Sequence, residues 1–150
     1  PRRRTYWAIV GEGAWLSTDD GAAPRRLAVG AAEPLLRTTV AFTQGYAVGH
    51  DDARRNGLFD ALERGTKRVL RSWAPSSDWA LMATGHLGAL IAYRNEIWDL
   101  IGGTLIAQEA GAEVVTDPSG ELVVVGRPET VRELSGLLRI SASPAPAASR

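Results

Sequence analysis

Glu96-Ile97-Trp98-Asp99-Leu100-Ile101-Gly102-Gly103, running on to Glu109-Ala110-Gly111-Ala112, decides how the rest of the chain is read. The spacing predicts a helix over Trp98–Ala110 that opens on a carboxylate and closes on an Ala-Gly turn. Ile101, Leu105 and Gln108 trace one stripe along it. Gly102 and Gly103 each cost about 1 kcal/mol relative to alanine in a helix interior, so their presence implies tight packing against a neighbouring backbone. Asp99 has two readings. A carboxylate in a first helical turn is stabilised by the partial positive charge there and needs no metal. Equally, an acid whose backbone is fixed by packing can hold a cation. Trp98 taken alone is a core residue.

Upstream of this segment, Leu87–Tyr93 is apolar enough for a central strand, and Pro75–Thr84 reads as a helix with proline in its first turn and Gly85 at its exit. Lys67–Arg71 is a short strand. Asp51–Arg64 is a helix in which Leu58, Phe59 and Leu62 recur beside an arginine-rich face. Leu36–Phe42 carries β-branched residues and reads as a strand, Arg26–Val29 as a short edge strand, and Ser17–Pro24 as a loop or hairpin tip. Thr5–Val10 alternates aromatic and aliphatic residues and ends at Gly11-Glu12-Gly13. Downstream come strands Glu113–Val115 and Glu121–Val125 around the turn Thr116-Asp117-Pro118-Ser119-Gly120, then an amphipathic helix over Pro128–Leu138. The tail Ser141–Arg150 is Ala, Ser and Pro apart from its last residue and is expected to lack regular structure. Strands alternating with helices predict an α/β domain over residues 1–140, with a mixed sheet flanked by helices.

Composition narrows the partners. Lys plus Arg and Asp plus Glu both number 17, so no net field favours nucleic acid or an acidic membrane. Arg2-Arg3-Arg4 is the one basic run and reads as a solvated arm. The absence of cysteine removes disulfides, thiolate metal sites and cysteine nucleophiles, and accords with a cytoplasmic location. No apolar run approaches the roughly 20 residues needed to span a bilayer, and no charged segment leads into an apolar one as in a signal peptide. His50 and His86 stand 36 residues apart in no metal-ligand spacing, and Ser76 and Ser77 have no paired base.

Four blocks taken together carry a resemblance. Trp98-Asp99 with Glu109-Ala110-Gly111 resembles the Trp-Asp signature of the inositol monophosphatase family. Arg71-Ser72, followed by Pro75-Ser76-Ser77-Asp78 and Gly85, is similar to that family's Arg-Ser helix: Asp78 precedes Gly85 by seven residues and Gly85 precedes Asp99 by 14, as in the family. Tyr6-Trp7-Ala8 with Gly11, Gly13-Ala14-Trp15 is similar to the family's aromatic hairpin, and with Pro24-Arg25-Arg26-Leu27 it looks like the histidinol-phosphate phosphatase branch. Val40-Ala41-Phe42-Thr43-Gln44-Gly45 is similar to the strand that ends in Thr-Gly.

The resemblance implies the C-terminal half of the inositol monophosphatase/fructose-bisphosphatase-like sugar phosphatase fold. It also implies a Mg2+-dependent phosphomonoesterase acting on a small phosphorylated polyol or amino alcohol, in a family whose members are commonly dimers. Asp99 would be a metal ligand, and Arg71, Ser76 and Arg94 would line the substrate pocket. Guanidinium suits phosphate or carboxylate recognition at Arg94, although a solvated loop charge is the plainer reading. The family's other metal ligands lie in an N-terminal portion, in a Glu and an Asp-Pro-Ile-Asp-Gly-Thr segment. No such run occurs in this sequence, and Thr116–Gly120 lacks the second acid. Ungapped alignment on Asp99 places the family's sugar-binding Glu at Ala92, and its Gly-Ser or Gly-Thr pair near Trp73-Ala74. The isolated chain is therefore expected to be inactive, awaiting a missing N-terminal half. The alternative is a non-catalytic remnant serving as a binding or oligomerisation module.

Overall fold

In the computed structural model, which describes residues 3–140 and 143–144, two sheets sandwich a pair of helices. The larger sheet has six strands in the order β5-β4-β6-β8-β7-β9: β4 is Thr39–Gln44, β5 Arg68–Leu70, β6 Ala89–Tyr93, β7 Glu113–Thr116, β8 Leu122–Gly126 and β9 Ser143–Pro144. Strand β4 runs parallel to both β5 and β6, whereas β8, β7 and β9 continue antiparallel, so the sheet is mixed as expected. Four helices flank it: α1 (Ala53–Gly65), α2 (Pro75–Ala83), α3 (Ile97–Glu109) and α4 (Pro128–Leu137).

Alternation along the central strands divides the core in two. Val40, Phe42, Ala89, Ile91, Tyr93, Leu122 and Val124 face α1 and α4, where they meet Leu58, Leu62, Val131 and Leu134. Ala41, Leu90 and Val125 face the other way and meet Trp79, Met82 and Ala83 of α2 and Ala107 of α3. Every residue of β6 is buried, which is why its sequence reads as an unbroken apolar run. Asp52 caps α1, its Oδ1 accepting the Arg55 N–H at 2.8 Å, and Pro75 opens α2.

The smaller sheet is antiparallel, β1 (Arg4–Ile9), β2 (Gly13–Thr18) and β3 (Arg25–Arg26). Trp7 pairs with Trp15 across it, their rings stacked at 5.9 Å, while Tyr6, Ala8, Ala14 and Leu16 face the α2–α3 core. Glu109, near the end of α3, fastens this hairpin: its carboxylate accepts the Gly11 and Gly13 N–H groups at 2.8 and 2.9 Å.

Several expectations shift. Strand β2 occupies residues expected to be partly turn and loop. The edge strand shrinks to Arg25–Arg26, with Leu27 and Val29 continuing as buried extended chain bonded to Ala14 and Ala110. Strand β4 begins at Thr39 because a 3-10 turn, Leu35–Arg37, precedes it. In the tail, Ser143–Pro144 pair with β7, whereas no regular structure is expected there; residues 141–142 and 145–150 lie outside those described. Among the described residues, no helix is long and apolar enough to cross a membrane.

The turn between β7 and β8 is a turn, not a metal motif. Gly120 N–H bonds to the Asp117 carbonyl, and the Asp117 carboxylate is taken up by Leu122 N–H, the Ser119 hydroxyl and Arg54. Burial pushes this carboxyl up, but those three partners more than offset it and hold it below the ordinary value of 3.8. Its contribution to stability is thus present above 3.8 and lost as pH falls through the lower folded value. Asp117→Asn is expected to cost about 2 kcal/mol at neutral pH, mostly from the two local bonds, since solvent screens the half-exposed Arg54. Urea midpoints of wild type and variant should converge on acidification. A gap independent of pH would show that the carboxylate charge contributes nothing.

Candidate functional site

Connections from the parallel strands leave the sheet on opposite faces. Strand β4 leads into α1 on one face, whereas β5 and β6 lead into α2 and α3 on the other. Such a divergence opens a crevice at the carboxyl ends of the strands, where α/β proteins place ligands. The groups gathered there are Gln44 at the end of β4, Arg71 after β5, Arg94–Glu96 after β6, and the first turns of α2 and α3. The loops after β4 and β6 touch backbone to backbone: a Cβ at Gly45 would sit 1.9 Å from the Arg94 carbonyl oxygen. Glu96 seals the contact by accepting the Tyr46 N–H at 3.0 Å, and its other oxygen is buried with no partner.

Asp99 stands in the first turn of α3. Its main-chain oxygen accepts the Trp79 indole N–H at 2.7 Å, which ties α3 to α2, while its partly exposed carboxylate has no partner among the described residues. It does not cap the helix. The cap position belongs to Glu96, which makes no capping bond because it is turned to Tyr46. Trp98 is not core either: it is 70% exposed, beside exposed Ile97 and Ile101.

The three residues expected to line a substrate pocket have separate surroundings. Ser76 is exposed in the first turn of α2. Arg94 lies over the Tyr93 ring and is bound by Glu121 and, at 3.3 Å, by Asp52, so its guanidinium is already engaged. Arg71 is half-buried between the rings of Phe59 and Trp73, and burial followed by the nearby Arg55 charge holds it below the ordinary value. Trp73 has a φ of 55°, which a bulky side chain adopts only under constraint, in the loop where ungapped alignment places a family glycine. Ala92 is a buried core residue of β6, so no ligand could be read there in any case; polar groups begin at Arg94.

Two further residues belong to the crevice and escaped the sequence reading. Gln44 and Arg55 are both buried, and Arg55 Nε donates to Gln44 Oε1 at 2.7 Å. The sequence shows only an arginine-rich face on this helix and does not single out Arg55, which is 7% exposed. Its spacing to Leu58, Phe59 and Leu62 was the available signal, since all four fall on one side of a helix. Buried Asp78 lies in the first turn of α2, its carboxylate accepting the Ser72 hydroxyl at 2.7 Å, and burial raises its carboxyl above the ordinary value. His86 contacts the Thr84 hydroxyl and belongs to no group of three or more possible metal ligands among the described residues.

With respect to a divalent metal, the donor set does not suffice. Among the described residues, no group of three or more His, Cys, Asp or Glu side chains could hold an ion. Magnesium requires near-octahedral oxygen coordination, and one carboxylate does not provide it.

Comparison with known proteins agrees with this architecture. A model described as the inositol monophosphatase family matches residues 1–144. A histidinol-phosphatase of Mycobacterium tuberculosis is 28% identical over 116 residues, which cover 76% of this chain and 42% of that protein. Mycobacterium tuberculosis SuhB superposes with a TM-score of 0.78 at 28% identity, covering 91% of this chain and 54% of that one. An IMPase of Thermotoga maritima shares the fold, with a TM-score of 0.70 at 22% identity over 91% of this chain and 51% of the other. The chain thus spans about half the length of the relatives it matches.

Proposed function

Because the chain belongs to the inositol monophosphatase family, we propose that it forms the C-terminal half of a magnesium-dependent phosphomonoesterase, with Asp99 as one metal ligand. The observation that carries this is the Asp99 carboxylate, unpartnered at the mouth of α3 and held in place through its own backbone by Trp79. The substrate is a small phosphorylated polyol or amino alcohol. Likeness to a histidinol-phosphatase favours histidinol phosphate over inositol phosphate. Arg71 and Ser76 border the crevice from β5 and α2, whereas Arg94 must release Glu121 before it can meet a phosphate. No step of hydrolysis follows from these residues alone, since they do not fit a catalytic metal without further ligands. Those ligands come from the family's N-terminal portion, in the cytoplasm, in an assembly that also includes a second copy. The exposed face of Ile97, Trp98 and Ile101 beside Asp99 supports such a covering partner.

That same face favours a second possibility, a non-catalytic module whose role is to bind a partner. The experiment is to translate the DNA upstream of Pro1 and assay the continuous product. An in-frame Glu and Asp-Pro-x-Asp-Gly-Thr segment, with magnesium-dependent release of phosphate from histidinol phosphate, supports the phosphatase. A stop codon followed by a start site, with no turnover, supports the module.

A further inference from the structure

We infer that the cleft between α1 and the carboxyl end of α4 is a binding site for a medium-chain aliphatic carboxylate, its acid held by Arg64 and Arg139. The cleft has a volume of about 750 Å³, and small-molecule sites run from roughly 300 to 1,000 Å³. It lies on the face of the large sheet that carries α1 and α4, whereas α2 and α3 pack on the other. Asp99, Arg71, Ser76 and Arg94 line no part of it, so the site is independent of the proposed phosphatase.

Leu58 and Leu122, both buried, line the cleft together with half-buried Leu138 and Ile140. Helix α1 contributes a row with little side chain, Gly57, Ala61 and Gly65, spaced four apart and therefore on one side of the helix. One end of the row shows what fills it. A Cβ at Gly65 would lie 2.5 Å from Leu137 Cδ2, so the notch there already receives an aliphatic side chain. At Gly57 a Cβ would meet nothing within 4 Å. Glycine weakens a helix interior relative to alanine, and no neighbouring group requires it here. From Gly57 to Arg64 the helix rises about 10 Å, which suits an aliphatic chain of about eight carbons.

Charge selects the head group. At the start of α1, Arg54 is neutralised by Asp117 and Glu121 at 2.5 and 2.7 Å. Leu137 sits against Gly65, which places Arg139 at the same end of the cleft as Arg64. Both arginines are exposed, and among the described residues neither side chain forms an ion pair or hydrogen bond. The acids close to them in sequence, Asp60, Glu63 and Glu133, line no part of the cleft. An apolar trough with two uncompensated guanidinium groups at one end matches a ligand that is apolar along its length and anionic at its tip. Guanidinium pairs bidentately with a carboxylate.

The test is titration of the full chain with butyrate, hexanoate and octanoate below their micelle concentrations, followed by two-dimensional NMR of the backbone amides. Octanoate is expected to bind saturably and to move the amides of Gly57 and Ala61, with affinity rising roughly tenfold for every two methylenes. Octanol, which lacks the charge, and octylamine, which reverses it, should bind about fivefold more weakly or worse, the scale of one exposed ion pair. Gly57→Leu puts a good helix former where the aliphatic chain would lie, and should bind octanoate at least about tenfold more weakly while circular dichroism shows it folded. The double variant Arg64→Gln with Arg139→Gln, both at exposed positions, should keep octanol binding and lose the preference for octanoate. It remains decisive if Gly57→Leu fails to fold. No saturable binding by wild type, unchanged affinity in a folded Gly57→Leu, octanol binding as tightly as octanoate, or shifts confined to residues outside α1 and α4 would each overturn the inference. Self-association of wild type in sedimentation, abolished by Gly57→Leu and unaffected by octanoate, would make the occupant a second copy and overturn it as well.

Discussion

Gly103→Ala is expected to lower the midpoint of thermal unfolding by about 10 °C, corresponding to a loss of roughly 3 kcal/mol in a chain of this size. A Cβ at this position would lie 2.2 to 2.4 Å from Trp79 Cδ2, Cγ and Cδ1, well inside any real contact. Relief requires movement of either the indole or the helix. The indole is 4% exposed, packed in the α2–α3 core, and pinned by its N–H to the Asp99 carbonyl at 2.7 Å. Helix α3 must therefore retreat, which opens that core and stretches the bond that positions Asp99. The gain of about 1 kcal/mol in helix propensity does not offset this. Its neighbour supplies the control. Nothing lies within 4 Å of a Cβ at Gly102, so Gly102→Ala collects the propensity gain without a clash and should raise the midpoint by about 3 °C. Two adjacent glycines in one helix thus carry opposite signs. If Gly103→Ala were as stable as Gly102→Ala, the α2–α3 contact would be soft and Asp99 would not be held by it.

That contrast also marks the limit of what the amino-acid sequence discloses. The pair of glycines announced a close approach, but only Gly103 makes one, and its neighbour is a ring rather than a backbone. Large apolar residues of α3 pointed to a core stripe through Ile101, yet Ile101 is exposed. Because Trp79 fills the space, α3 meets it with small residues, Gly103 and Ala107, flanked by Leu100 and Ile106, so the inward face is not the one through Ile101. The alternation of strands and helices was legible because each segment carries its own signal: the apolar run of β6, Pro75 at the start of α2, the amphipathic α4. Strand order was not, since it depends on contacts between segments. The same is true of the site. Asp99, Arg71 and Ser76 stood in recognisable blocks, whereas Arg55 meets Arg71 only through Gln44 at the end of β4. Asp117 read correctly as a turn residue, but its partner Arg54 lies 63 residues away, a distance local patterns do not cross.

The 150-residue chain is expected to release phosphate from phosphomonoesters no faster than buffer, with or without magnesium, and to bind magnesium weakly or undetectably by calorimetry. A two-metal phosphatase polarises the phosphoryl oxygens and generates a hydroxide near neutrality, which demands several fixed oxygen ligands. The described residues offer one carboxylate at the helix mouth and no group of three acids or imidazoles. In the protein extended to contain the family's acidic segment, Asp99→Asn should reduce turnover at least about a hundredfold, because a charged ligand to the metal is replaced by a neutral one. The substitution is close to isosteric, and Trp79 binds the backbone oxygen of residue 99 rather than its side chain, so α3 keeps its place and the melting temperature should hardly change. Loss of activity with an unaltered melting curve would separate metal binding from folding. Magnesium-dependent turnover by the 150 residues alone, abolished by Asp99→Asn, would mean that the ligand set is complete within this chain and that no covering segment is needed. Full activity of Asp99→Asn in the extended protein would remove Asp99 from the metal altogether, leaving it a surface acid on a helix whose exposed Ile97, Trp98 and Ile101 serve only to bind another protein.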